Sequence, residues 1–398
     1  MNAQPVSEKE RILSLDIIRG IALLGILLVN MPTFSTPDFI RQMYLLPLEY
    51  SGLDQGIRLF FDLFVQAKFY PIFSFLFGAG FYLFINRVEQ RDLPSGPLFS
   101  RRLLVLLLFG LSHLIFFWHG DILHTYALTG FLLLLFRGRS DGAVLGWAFS
   151  LLLMIQLLLA SQLMLGPGTY LGEQQATGRA LWGQALNMYQ DAPYAQWLLY
   201  RLQTEVPVIL SNAPGLIPSV LPFFLFGLYA GRRGILQNPE NHQVMVNRVW
   251  KVSLFCAIPL TLLVALLHFG VLPLGNSQMI AHQLLISLNG VALCFFYLAS
   301  LVRLLQRPVW QQRLQPLAAV GRMALTNYLL QTILAVAIIH FFDLFGRLSL
   351  TAGLLLSLAI FALQVMASGL WLRRFRMGPM EWLWRTLTYG KAQPLRRS

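Results

Sequence analysis

The feature that most constrains this chain is the recurrence of apolar stretches, each about 16–25 residues long, separated by short segments that carry arginine. Ten such stretches are read at 12–31, 69–86, 103–119, 121–136, 143–165, 208–231, 250–270, 281–303, 318–341 and 349–371. Stretches of this length suit helices that cross a bilayer, whose hydrocarbon layer is ~30 Å thick. In lipid every backbone N–H and C=O must be paired within its own segment, so helices are the expected structure. The chain is 56% hydrophobic and 12% charged, which excludes an ordinary soluble domain. The expected fold is all-α and polytopic: about ten transmembrane helices with interfacial amphipathic helices, in a single domain over 1–398. Within it, 1–136 carries most of the motifs, 166–207 forms an outer loop, and 208–398 holds the C-terminal helices with an interfacial tail helix.

Charge placement gives the orientation. A net charge of +13 would suit a nucleic-acid binder. Here, however, the basic residues sit in short loops between apolar runs, where they fix which side faces the cytoplasm. The lipid bilayer is therefore the expected partner, and nucleic acid is not. With the N-terminus inside, most of the 30 basic residues fall on that side. They include Lys9, Arg11, Arg101, Arg102, Arg232, Arg233 and the tail from Arg373. Both termini are expected in the cytoplasm.

Two outer segments are long. In 32–68, Asp54, Arg58 and Asp62 alternate with Phe and Leu at helical spacing, which reads as an amphipathic helix at the interface. The segment 166–207, rich in Gln, Tyr and Trp, reads either as a cover over an outer pocket or as a surface loop. The sixth stretch contains Pro214, Pro218 and Pro222 and is expected to be broken there. Cys256 and Cys294 lie in apolar runs and suggest neither a disulfide framework nor a metal motif.

Polar residues inside apolar stretches need a reason, since an ionisable group there costs at least ~2.5 kcal/mol. In 13–30, LSLDIIRGIALLGILLVN, Asp16, Arg19 and Asn30 share one face at about 100° per residue. That stripe must look into protein, either to orient the helix or to line a site. In GLSHLIFFWHGDILHTYAL, His113, His119, Asp121 and His124 surround one turn. An imidazole held by a carboxylate can act as a general base near neutral pH. The spacing matches no defined zinc pattern, so no metal site is assigned. Lys68, at the mouth of the second stretch, either snorkels or faces an anion, and Gly78 and Gly80 after it permit close helix contact. In GRMALTNYLLQT, Asn327 and Gln331 share a face, beside Thr326 and Tyr328, and either bind a neighbouring helix or line a site. In MGPMEWLWRTLTYG, Glu381 and Arg385 are spaced for an i,i+4 pair on an interfacial helix.

These blocks carry a resemblance. LDIIRGIALLGILLVN, KFYPIFSFLFGAGF, the RRLL…GLSH…GDIL stretch, GRMALTNYLLQ and GPMEWLWRTLTYG, in that order, resemble the YeiB family of bacterial inner-membrane proteins. The resemblance covers almost the whole chain and implies a multi-pass protein of the bacterial cytoplasmic membrane. The family is in turn distantly similar to a superfamily of membrane acyltransferases. That superfamily includes enzymes that O-acetylate surface sugars and the heparan-α-glucosaminide N-acetyltransferase, and the D..RG.A pattern around Asp16 and Arg19 is shared with it. The sugar O-acetylating branch has a catalytic His eleven residues after the Arg, where this chain has Asn30. The N-acetyltransferase branch has its His between the first two spans, and 32–68 contains none. Neither position therefore supplies the base here, and His113 with Asp121, both on the GLSH…GDIL block, is the candidate that remains.

The expected activity is transfer of an acyl group from a cytoplasmic donor such as acyl-CoA to an extracytoplasmic acceptor, either a small molecule or a glycan or lipid. The alternative is transport of a small anionic or lipid-linked solute. His113 and Asp121 are the catalytic candidates. Asp16, Arg19, Asn30, Lys68, Arg322, Asn327 and Gln331 are candidates for substrate or donor binding: the arginines for phosphates, and the amides of Asn30, Asn327 and Gln331 for an oxyanion. No tightly bound cofactor is expected, and the sequence sets no oligomeric state.

Overall fold

The computed structural model describes residues 12–47, 50–165 and 171–397. Lys9 and Arg11, and residues 166–170 at the start of the expected outer loop, lie outside these. The helices in chain order are α1 (Leu13–Ser35), α2 (Asp38–Met43), α3 (Gly52–Phe64), α4 (Phe69–Glu89), α5 (Ser95–Phe116), α6 (Leu123–Leu133), α7 (Asp141–Leu165), α8 (Leu171–Asp191) and α9 (Tyr194–Tyr200). They continue as α10 (Val206–Arg232), α11 (Gln243–His268), α12 (Gln278–Leu304), α13 (Pro308–Arg313), α14 (Gln315–Arg322), α15 (Ala324–Phe341), α16 (Leu350–Arg374) and α17 (Pro379–Tyr389).

Among the described residues, nine helical stretches are long and apolar enough to cross a membrane. The difference from ten lies in the hairpin. Its second arm, Leu123–Phe136, is a shorter apolar helix packed back along α5. The stretch at 318–341 is also divided. α14 ends at Arg322 and α15 starts at Ala324, because Met323 leaves helical geometry at φ −110° and ψ 35°. The break expected at the prolines is absent: α10 runs through Pro214, Pro218 and Pro222 as one helix. The irregularity falls upstream, where Arg201–Glu205 makes a π-helical turn joining α9 to α10.

The two ends of the bundle are named here for the two ends of α1. At the Ser35 end, the expected outer loop is helical over α8 and α9. Gln175 donates to the Leu45 carbonyl at 2.9 Å and Gln190 to that of Phe345 at 2.7 Å. Gly346 N–H in turn reaches the Ser35 carbonyl. This segment therefore covers that end of the bundle.

Lipid gives helices no hydrophobic reason to associate, so close packing has to supply it. At two crossings the backbones touch. A Cβ on Gly78 of α4 would strike the Phe224 carbonyl of α10, and one on Gly227 would strike that of Phe75. Gly20 of α1 and Gly321 of α14 interlock likewise against Leu317 and Asp16. Gly80 does not make the close helix contact its spacing suggested; a Cβ there would meet only the Arg19 guanidinium, at 3.7 Å.

Two amphipathic helices satisfy the open N-termini of spanning helices. Asp54 of α3 accepts from Leu350 and Thr351 N–H, at 3.1 and 2.9 Å, and from the Thr351 hydroxyl. At the Leu13 end, Glu381 of α17 accepts from Leu325 N–H at 2.6 Å, Thr326 N–H at 3.1 Å and the Thr326 hydroxyl at 2.6 Å. The Glu381–Arg385 pair expected from spacing gives way to this. A surface i,i+4 pair is worth only ~0.3–0.5 kcal/mol, less than leaving a buried helix start unsatisfied.

Candidate functional site

The α5–α6 turn builds a buried carboxylate–imidazole cluster. Phe117 and Trp118 N–H both donate to the His113 carbonyl, which ends α5 and reverses the chain. Asp121 then caps the start of α6 by accepting from His124 N–H at 2.9 Å. Its two oxygens hold two rings: His113 Nδ1 lies 2.9 Å from Oδ1, and His124 Nδ1 lies 3.0 Å from Oδ2. A carboxylate only accepts, so each Nδ1 carries its hydrogen and, in the neutral ring, each Nε2 is left with a lone pair. The Thr125 hydroxyl, 3.2 Å away, can satisfy that of His124. That of His113 is buried and has no hydrogen-bond partner among the described residues. Tyr328 of α15 completes the cluster: its hydroxyl accepts from Ile122 N–H at 3.3 Å and lies 3.5 Å from Asp121 Oδ1.

Tyr328 and Ile122 also form part of the wall of a cavity of about 310 Å³. At the Leu13 end the cavity is lined by arginines: Arg19, Arg87, Arg91, Arg102, Arg322 and Arg385, with Asp16 and Glu381 among them. Asp16 holds Arg19 at 3.0 Å. The Arg102 guanidinium stacks over the Trp384 ring at 3.7 Å. Burial pushes the Glu381 carboxyl above its ordinary range, despite the hydrogen bonds it receives from Thr326 and Leu325. Deeper in, the wall is aromatic and aliphatic, with Phe73, Phe77, Phe81, Leu76, Leu106 and Tyr126. Gly80 faces the cavity and widens it beside Arg19. Such a shape suits an amphiphile with an anionic head and an apolar tail.

The structure brings some of the expected residues together and separates others. Asp16, Arg19 and Arg322 line the cavity, and His113 and Asp121 lie behind its Tyr328 wall. Asn30, Lys68, Asn327 and Gln331 do not line it. Asn30 is half-buried toward the Ser35 end of α1. Lys68 is wholly buried and donates to the Asp62 carbonyl at 2.7 Å. Asn327 donates to the Val320 carbonyl and Ser368. Gln331 bonds Gln364 at 3.0 Å. These amides tie α15 to α14, α1 and α16, the helix-binding alternative of the sequence reading. His119 and His124, which flank Asp121 at the α5–α6 turn, are buried. His282 of α12 approaches Asp62 at 3.2 Å.

Of the mouth arginines, Arg87, Arg91 and Arg102 read in the sequence only as charges that set membrane orientation, and Arg385 only as a partner for Glu381. Their signal was spacing: Arg87 and Arg91 are i,i+4, and Arg102 opens a spanning stretch. Tyr328 was noticed only as a neighbour of Asn327.

A bundle of apolar helices around an arginine-mouthed cavity, with a buried His–Asp–His cluster behind its inner wall, defines the class: a polytopic helical membrane protein with an internal cavity. A family model described as "Protein of unknown function (DUF418)" matches residues 230–391. Uncharacterized protein YxaH of Bacillus subtilis (strain 168) is 35% identical over 415 residues, covering 98% of each chain. Uncharacterized protein YeiB of Escherichia coli (strain K12) is 31% identical over 97% of this chain and 98% of its own length. The chain belongs to the family of YeiB and YxaH.

Proposed function

We propose that this protein is a membrane acyltransferase of the bacterial cytoplasmic membrane, with both termini cytoplasmic, that takes its acyl group from a phosphate-bearing thioester such as acyl-CoA. The observation that carries this reading is the continuity of a single cavity from the arginine mouth to the Tyr328 wall in front of His113 and Asp121. The donor phosphates would lie among Arg19, Arg87, Arg91 and Arg322, whose planar guanidinium groups bind phosphate oxygens in pairs. The acyl chain would lie along Phe73, Phe77 and Phe81. The acceptor hydroxyl or amine attacks the thioester carbonyl. Its proton passes to His113 Nε2, and the imidazolium is stabilised by Asp121. The C–S bond breaks, and the thiolate leaves as free thiol on taking that proton. With Asn30, Asn327 and Gln331 away from the cavity, the Tyr328 hydroxyl takes over the oxyanion role.

The test uses purified full-length protein in nanodiscs with palmitoyl-CoA and acetyl-CoA. The wild type is expected to be thermally stabilised by donor and to release CoA thiol, slowly with water as acceptor and faster with added membrane extract. His113→Ala should keep the stabilisation and lose about 10²–10⁴-fold in thiol release. Gly80→Leu places a side chain in the cavity beside Arg19, at ordinary contact distance, and should remove the stabilisation while the protein still folds. Stabilisation without thiol release would leave donor binding only, and neither effect would favour the transport reading.

A further inference from the structure

A second buried polar cluster lies at the Ser35 end and is not used above. The π-helical turn at Arg201–Glu205 turns both of these side chains inward, and both are buried. Glu205 is satisfied on one side only. Its Oε2 accepts from the Tyr189 hydroxyl at 2.7 Å and lies 3.4 Å from Arg201 Nε and 3.6 Å from His119 Nδ1. Its Oε1 is buried with no hydrogen-bond partner among the described residues, and so are His119 Nε2, Tyr200 OH and Trp197 Nε1. One carboxylate oxygen and three further polar atoms left orphaned in the same buried cluster are more than a native interior leaves without a reason, and π-turns inside helices frequently mark functional sites.

We infer that this cluster is a binding site for a neutral polyol, a solute with neighbouring hydroxyl groups, and that it seats the acceptor of the acyl-transfer reading, on which the word acceptor rests. The orphaned atoms specify the ligand. Glu205 Oε1 only accepts, and His119 Nε2 accepts when Nδ1 carries its hydrogen toward Glu205, so the ligand must donate to both. Trp197 only donates, so the ligand must also accept. A hydroxyl does both. Arg201 already balances the Glu205 charge, so the site does not call for a cation. The Trp197, His340 and Phe345 rings lie in series, the first pair tilted with centroids 4.1 Å apart and the second stacked at 5.4 Å, and give an apolar surface for C–H groups. The site also borders the chemistry. The Trp118 ring stands between, its centroid 5.9 Å from that of His119 and 6.3 Å from that of His113. Entry requires α8 to shift, and α8 is lightly held: among its described residues only Gly178, Ala185 and Tyr189 are buried.

Tryptophan fluorescence of the full chain in nanodiscs, without any acyl donor, tests this with glycerol, glucose and myo-inositol as probes and ethanolamine as the cationic control. The wild type should give a saturable change with at least one polyol and none with ethanolamine. Trp197→Phe should remove the signal. Glu205→Gln should weaken binding at least ten-fold, and Tyr200→Phe, which deletes one hydroxyl, several-fold, so that the result stands even if the glutamine variant does not fold. No saturable response to any polyol, an unchanged response in the variants that fold, or a response to ethanolamine alone overturns the proposal. Because no donor is present, failure of thiol release leaves this readout intact. Loss of polyol binding with thiol release preserved removes this site alone.

Discussion

Asp121 is the residue on which the local chemistry turns. It caps α6, orients His113 and His124, and lies beside the Tyr328 hydroxyl. Asp121→Asn keeps the shape but replaces one acceptor oxygen by an N–H₂ donor. One imidazole must then flip its tautomer, so that its Nδ1 accepts and its Nε2 carries the proton. If that ring is His113 the base is lost. Under the acyl-transfer reading, thiol release by Asp121→Asn should fall about 10²–10⁴-fold, with donor-induced thermal stabilisation unchanged; equal turnover by this variant would remove the cluster from the reaction. His113 and Asp121 were legible as candidates because three of the chain's seven histidines fall around one Asp in a helical turn. Asn30 and Lys68 were misleading for a physical reason. Helical phase says which face a side chain occupies but not what stands opposite, and at those points the facing groups do not belong to the cavity.

At the scale of elements, the bundle depends on short helices plugging the starts of long ones. The α17–α15 contact makes a pH-dependent prediction. The folded-state pKa of Glu381 is raised above its ordinary 4.5 by burial. A raised carboxyl pKa means that the folded state binds the proton more tightly, so the stability it contributes is full below pH 4.5 and is lost as pH rises through the raised value. The thermal midpoint of wild type should therefore fall over that window relative to Glu381→Gln, whose neutral amide mimics the protonated form. Parallel midpoints for the two proteins across the window would refute the assignment. The spanning helices themselves were readable from length and polarity, since lipid leaves the backbone no other choice. The ends were not. The described part of the 166–207 segment is helical over α8 and α9, and Gln190 and Gln175 find partners far away in sequence, at Phe345 and Leu45, which a local reading of polarity cannot see. The three prolines of α10 do not break it: the helix is packed by α4, α6 and α7 where it is most buried, from Val220 on, and runs on unbroken through Pro214, which is exposed.

For the molecule as a whole, the open question is which way it faces, and charge supplies an answer that can be measured. The cavity mouth gathers Arg19, Arg87, Arg91, Arg102, Arg322 and Arg385 at the Leu13 end. The Ser35 end is closed by α2, α8 and α9, where Arg41 and Arg201 are each paired with an acid, Asp38 and Glu205. Lys and Arg near the ends of spanning helices resist translocation whether or not an acid stands beside them, and the Leu13 end gathers more of them, so that end is expected in the cytoplasm. Under the acyl-transfer reading, the same placement would put the arginine mouth on the side where a thioester donor is made, and the Glu205 cluster on the side where an exported acceptor arrives. A green fluorescent protein fused after Ser398 should therefore fluoresce, while an alkaline phosphatase fused there should be inactive. Cysteine labelling gives the same answer without a fusion. In a Cys256→Ser background, a cysteine placed at Gly172, in open space on α8, should react with a membrane-impermeant maleimide in intact cells or spheroplasts, and one at Gly138, between α6 and α7, only after lysis. The reverse labelling pattern would place the arginine mouth outside, and the acyl-CoA donor would then have to be given up even if the cavity and its His113–Asp121 wall were retained.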